Sequence, residues 1–208
     1  MRRIVVTEFV TLDGVMEDPG GAEKFERGGW AFQFQRGPDG DKFKLDELMA
    51  SDAALLGRRT YEGFAAAWPS RKGEFADKMN NMPKYVVSTT LEGASWKNST
   101  VIRGNVAEAA AKLKAQPGRD ILVAGSGQLV QTLMEHALVD ELRLMVFPVV
   151  LGCGRRLFGN AGGRHALQLA EARAVGTDGV VTLIYRSGQK QRAARLSIDG
   201  TQQTLEKR

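Results

Sequence analysis

Short apolar runs alternate along this chain with stretches that repeat at helical period. The clearest unit lies within residues 120–158. Ile121, Leu122, Val123 and Ala124 form an apolar run that suits a strand buried on both faces. Gly125, Ser126 and Gly127 then turn the chain into a predicted helix. On it Leu129, Leu133, His136 and Ala137 share a face, with Val130 and Met134 beside it. A strand over residues 141–149 follows, and the unit predicts a right-handed crossover between parallel strands. The same alternation predicts strands at residues 3–12, 53–56, 84–89 and 100–103. It predicts helices at 41–50, 58–67, 75–81 and 106–115, the last capped by Asn105 and stopped by Pro117-Gly118. Residues 166–175 and 180–186 form a closing antiparallel pair around the Asp178-Gly179 turn. The expected fold is therefore α/β: a single domain over residues 1–188, built on a mixed, mostly parallel sheet with helices on both faces and a C-terminal antiparallel hairpin. Residues 189–208 lack a core pattern and read as a polar, flexible tail.

Composition narrows the class. At 208 residues and 43% hydrophobic, the chain can bury an ordinary core, and no apolar run approaches the roughly 20 residues that span a bilayer. The chain opens on a strand rather than a signal pattern, and its lone Cys153 permits no internal disulfide. Both features point to a reducing, cytoplasmic setting without membrane contact. One cysteine and two histidines argue against a zinc site, and no metal is expected. The net charge of +5 is concentrated in the tail, where Lys190, Arg192, Arg195, Lys207 and Arg208 stand against Asp199 and Glu206. Without a basic stripe on the body, nucleic acid is not an expected partner.

Three predicted strand ends carry small, polar or basic residues. They are Gly57-Arg58-Arg59-Thr60, Ser88-Thr89-Thr90 and Gly125-Ser126-Gly127. Helix N-termini offer unpaired N–H groups and about half a positive charge, and arginine forks suit phosphate. Each turn also reads as ordinary packing. Val130 stands where a dinucleotide fingerprint needs its third glycine, and no P-loop is present. In an open α/β sheet, strand ends converge on ligands at one edge, so together the three favour a phosphorylated dinucleotide. Asp13, after the first strand, is a candidate to hold a polar ring or relay a proton, and equally a plain Asp-Gly turn. Trp30 and Phe34, four apart in a long loop, either cover a substrate ring or form a satellite core. His136 reads as a packed core residue, Cys153 as a structural cysteine, and Ser126 lacks the glycines of a nucleophile elbow.

The segments Thr11-Leu12-Asp13-Gly14, Leu56-Gly57-Arg58-Arg59-Thr60-Tyr61-Glu62, Gly125-Ser126-Gly127, Val139-Asp140-Glu141-Leu142 and Pro148-Val149-Val150-Leu151-Gly152 occur in that order. In this combination the chain resembles the dihydrofolate-reductase-like family over residues 2–187. The closer likeness is to the branch containing the reductase domain of the bifunctional riboflavin-biosynthesis enzyme. The resemblance implies an NADPH-dependent reductase and often a homodimer. Hydride would pass to a C=N or C=O of a small pyrimidine- or pterin-type heterocycle, as in a 5-amino-6-(5-phosphoribosylamino)uracil reductase. It assigns the cofactor's phosphates to Gly57, Arg58, Arg59 and Thr60, and the adenosine 2′-phosphate to Ser88 and Thr89. Gly125, Ser126, Gly127, Gln128 and Leu129 would wrap the pyrophosphate and nicotinamide side, with Asp13 facing substrate. Trp30, Phe34 and Asp41 complete the expected substrate side, although Asp41, Asp46 and Glu47 offer no clear match to the acid of the folate branch. The H-x-E and P-C-x-x-C patterns of a deaminase are absent. The alternatives are an NADP(H)-binding sensor, an interaction module without turnover, and a true dihydrofolate reductase. Residues 141–152 are the expected site of dimerisation by sheet extension.

Overall fold

Strand β1 (Ile4–Thr11) is buried almost throughout, and its two faces serve two different cores. Ile4, Val6 and Val10 pack to one side, whereas Val5 and Phe9 pack to the other. That requirement places β1 inside a sheet with helices on both faces. The computed structural model describes residues 1–159 and 163–188. The expected tail at 189–208 lies outside the described residues.

After β1 come a 3-10 turn (Trp30–Gln33), α1 (Gly37–Ala50), β2 (Ser51–Gly57), α2 (Arg58–Ala67), α3 (Glu74–Asn81), β3 (Lys84–Val87) and β4 (Ser99–Ile102). Then follow α4 (Val106–Ala115), β5 (Asp120–Ala124), α5 (Gly127–Glu135), β6 (Glu141–Phe147), β7 (Leu167–Val175) and β8 (Val180–Ser187). The sheet runs β4-β3-β2-β5-β1-β6-β8-β7. Strands β1 to β6 pair in parallel, and β8 runs antiparallel between β6 and β7. The expected fold class is the observed one, including the closing hairpin.

Helices α4 and α5 cover one face through Ala110, Leu113, Leu129, Val130 and Leu133 against Ile4, Ile121 and Val123. The other face buries Leu48, Tyr61 and Met79 against Val5, Leu56 and Leu122. Each buried Leu, Ile, Val or Met among these contributes about 1.5–3 kcal/mol relative to exposure. A third cluster joins Trp30, Val15, Met145 and Phe147 under the long loop. Local signals explain the helix starts: Pro38 opens α1, and the Asn105 side chain accepts the Glu108 N–H at 3.1 Å to cap α4.

Three expectations change. Helix α5 ends at Glu135, so His136 and Ala137 are exposed beyond it instead of sharing its apolar face; Ala137 turns the chain away with φ +49°. Cys153 is an exposed thiol, not a packed one. Strand β6 is hydrogen-bonded to β1 on one edge and β8 on the other, so it has no free edge for extending a sheet across a dimer.

Because α1 packs on one face of the sheet and α5 on the other, the connections leave these neighbouring strands in opposite directions, the topology that opens a crevice at strand carboxyl ends. Open α/β sheets bind ligands in such crevices.

Candidate functional site at the carboxyl edge of the sheet

Strands β3, β2 and β5 are adjacent and parallel, with Gly57 paired to Val87 and Ala54 paired to Leu122. The turns at Gly57, Ser88 and Gly125 therefore emerge side by side at one edge, within about 10 Å across two strand spacings. Ser126 ties two of them together. Its Oγ accepts the Gly57 N–H at 2.9 Å and lies 3.0 Å from Thr60 Oγ1 and 3.1 Å from the Ala124 carbonyl. To reach them Ser126 adopts a left-handed conformation, φ +65°. Gly125, at φ +57°, has no room for a side chain: a Cβ there would sit 2.8 Å from Thr60 Oγ1. The N-termini of α2 and α5 are thus held against each other.

Their charge is left uncompensated. Helices α1, α3 and α4 carry Asp39, Glu74 and Asp77, and Glu108 in their first turns; α2 and α5 carry no acidic residue there. In α5 the first backbone bond runs from Val130 to Ser126, so the N–H groups of Gly127, Gln128 and Leu129 precede the helical ladder. Leu129 can offer only this N–H, since its side chain is in the core. Arg58 is exposed and ion-paired with Glu62 at 3.0 Å, and Arg59 is exposed. Ser88 is buried, and its Oγ accepts the N–H groups of Thr90 and Leu91 at 3.1 and 2.9 Å. Thr89 is exposed, and its carbonyl accepts from Arg103 at 3.2 Å. Arg103 is a basic residue beside this turn that the sequence reading passed over.

Asp13 is bound on every side. Its carboxylate accepts from Thr11 Oγ1 at 2.6 Å and from the N–H groups of Leu151 and Gly152 at 3.2 and 2.9 Å, with Arg156 3.4 Å away. The Thr11 hydroxyl and then these backbone donors, working against partial desolvation, hold its carboxyl down to about 2. An acid this strong stays ionised near neutrality and does not suit the proton relay; it suits a clamp between the β1 turn and the loop after β6.

The substrate-side expectations divide. Phe34 and Asp41 line an open cavity of about 330 Å³ together with Phe9, Phe32 and Arg36. Asp41 is paired there with Arg36 at 2.7 Å. Trp30 is 1% exposed, donates its Nε1–H to the Glu17 carbonyl at 2.8 Å and packs edge-on to Phe147. It is a core residue beneath the cavity rather than its wall, and the satellite-core reading describes it.

Sequence reasoning missed a charged group beside this cavity. Lys44 Nζ lies 5.0 Å from the centre of the Phe9 ring and bonds Thr7 Oγ1 at 2.5 Å, and it is ion-paired with buried Glu47. Thr7 in turn donates to Glu47 at 2.6 Å. Arg36 lies 5.4 Å from the same ring, so Phe9 is flanked by two cations. On the opposite face of β1, Glu8 is 4% exposed, and the Gly125 N–H lies close enough to act on its carboxyl. Burial pushes that acid well above its ordinary range, against the opposing pull of Lys44 and the Gly125 N–H. The available signal was a glutamate interrupting the apolar pattern of residues 3–12.

This strand order, with glycine turns at the carboxyl ends of a mostly parallel sheet and a terminal antiparallel hairpin, defines an α/β protein of the dihydrofolate-reductase-like class. The chain belongs to the RibD C-terminal domain family, whose model matches residues 2–181. It is 32% identical over 189 residues to the uncharacterized protein YyaP of Bacillus subtilis (strain 168), covering 88% of this chain and 94% of that one. Among solved structures it resembles a candidate riboflavin biosynthesis protein from Shewanella sp. PV-4, with TM-score 0.69 and 21% identity over 90% of this chain and 99% of the other. It also resembles a pyrimidine reductase-like protein from Corynebacterium diphtheriae, with TM-score 0.59 and 13% identity over 90% and 92% of the two chains. Family membership supports a RibD-like reductase.

Proposed function

We propose that this protein is an NADPH-dependent reductase of a small planar heterocycle of the pyrimidine or pterin type. The observation that carries the reading is the junction at Ser126, where two helix N-termini without first-turn acids abut. Such a junction is an anion site with donors on both sides. In this reading Gly57 and Thr60 hold one part of the diphosphate, the N–H groups of Gly127, Gln128 and Leu129 hold the other, and the exposed guanidinium groups of Arg58 and Arg59 reach toward the adenosine 2′-phosphate. Ser126 and Gly125 set the approach, and Ser88 and Thr89, with Arg103 beside them, flank the adenosine 2′-phosphate. The glycine at 125, which tolerates no Cβ, fits a backbone that a diphosphate must approach closely.

When bound, NADPH supplies the hydride. The protein's own residues supply position and the proton. Phe9 and Phe34 offer apolar contact to a flat ring in the cavity, and Arg36 and Asp41 line its mouth. Lys44, anchored by Thr7 and Glu47, gives a proton to the nitrogen or oxygen of the reduced double bond and recovers it from solvent. Asp13 holds the loops that frame the crevice.

The test is twofold. Titration with NADPH is expected to change the nucleotide's fluorescence, and absent binding would overturn the reading. Oxidation of NADPH is then followed across a panel of pterins and pyrimidines; binding without oxidation of any of them would point to a sensor instead.

A further inference from the structure

Glu8 is used by none of the steps above, yet it lies directly beneath the anion turn. It sits on the α5 face of β1, between Leu144 on β6 and the end of β5, where Ala124 pairs with Thr7. The Gly125 N–H lies close enough to act on its carboxyl group, and Oε1 is buried with no hydrogen-bond partner. An ionised carboxylate placed there would leave a full charge half-satisfied inside the protein, which is costly. A neutral acid needs less: one oxygen faces the Gly125 N–H and the hydroxyl stays uncharged. The charged groups acting on it are Lys44 and Glu47 of α1, one of each sign. Burial outweighs the rest and favours the protonated form.

We propose that Glu8 is a positioning residue for the dinucleotide: its buried carboxyl group, with Oε1 unpartnered, supports the Gly125 turn from below, where added negative charge would oppose the diphosphate. This rests on the reading that a dinucleotide diphosphate binds between α2 and α5. Ionised Glu8 would still face the Gly125 N–H but would repel the phosphates. Affinity is therefore linked to the Glu8 proton. By linkage the bound diphosphate favours protonated Glu8, so binding takes up protons wherever free Glu8 is partly ionised.

The experiment measures NADPH affinity by fluorescence from about pH 7 to about pH 10 for the wild type and Glu8→Gln, a neutral near-isostere. Wild-type affinity is expected to fall by at least about tenfold toward the alkaline end, the effect of one unit of coupling, while Glu8→Gln stays flat. Parallel curves for the two proteins, both binding well, would overturn the role of Glu8 and leave the cofactor reading intact. Absence of NADPH binding by either protein at any pH would overturn the cofactor reading, and this inference with it. Should Glu8→Gln fail to fold, calorimetry of the wild type in two buffers of different ionisation enthalpy decides. Proton uptake on binding at alkaline pH supports the proposal, and zero uptake across the range overturns it.

Discussion

Replacing Ser126 with alanine removes one oxygen and separates two functions of that residue. The Gly57 N–H loses its acceptor at 2.9 Å, and Thr60 Oγ1 loses its neighbour at 3.0 Å. A buried donor left unmade costs about 1–3 kcal/mol. Ser126 is only half-buried, so water can replace part of the contact, and the lower end, about 1 kcal/mol, applies. Alanine keeps the left-handed backbone at φ +65°, which costs a residue with a Cβ about 1–2 kcal/mol, so that strain is unchanged. Glycine loses the same oxygen but relieves the strain. Ser126→Ala is therefore expected to lose about 1 kcal/mol of stability, and Ser126→Gly to stay near the wild type, in urea denaturation. Both are expected to bind NADPH roughly tenfold more weakly, because in each the two helix ends lose their tie. Thr60→Val with Ser126→Ala completes a double-mutant cycle, with an expected coupling of about 0.5–1 kcal/mol. Full stability and undiminished NADPH affinity in Ser126→Ala would refute the idea that this hydroxyl organises the site.

Joint replacement of Arg58 and Arg59 by alanine is expected to weaken NADPH far more than NADH in the same titration; equal weakening would show that they do not read the extra phosphate. Lys44→Met is expected to lower the rate of NADPH oxidation by about 10²–10⁴ while leaving NADPH affinity near normal, and unchanged turnover would remove Lys44 from proton transfer. Asp13 is held down from 3.8 to about 2, so its stabilising effect is complete above pH 3.8 and disappears as pH falls through about 2. Accordingly the stability gap between wild type and Asp13→Asn, measured by chemical denaturation, is expected to be constant at neutral pH and to close in strong acid. A gap independent of pH would mean that the carboxylate charge contributes nothing to the clamp.

Much of the architecture was readable from local pattern. The start of α2 follows from the glycine that breaks the strand at Gly57, and the start of α4 from Asn105, whose side-chain cap acts within a single turn. The buried run at Ile121 to Val123 and the hairpin around Asp178-Gly179 were equally plain. In α5 the helical spacing continues through His136 and Ala137, but the backbone abandons it at the positive φ of Ala137, which no periodicity reports. Strand β6 looked like an edge because periodicity reports burial, not neighbours.

What the chain alone determined was the alternation of elements, the family likeness and the three phosphate-like turns, since periodicity, capping and glycine placement act over a few residues. Only the tertiary structure decided that Ser126 would meet Gly57, that Asp13 would be clamped by Leu151 and Gly152, and that Glu8 and Lys44 would lie on opposite faces of one strand. Those contacts join residues far apart in sequence. They depend on strand order and register, which are set by how whole faces pack and not by any local signal.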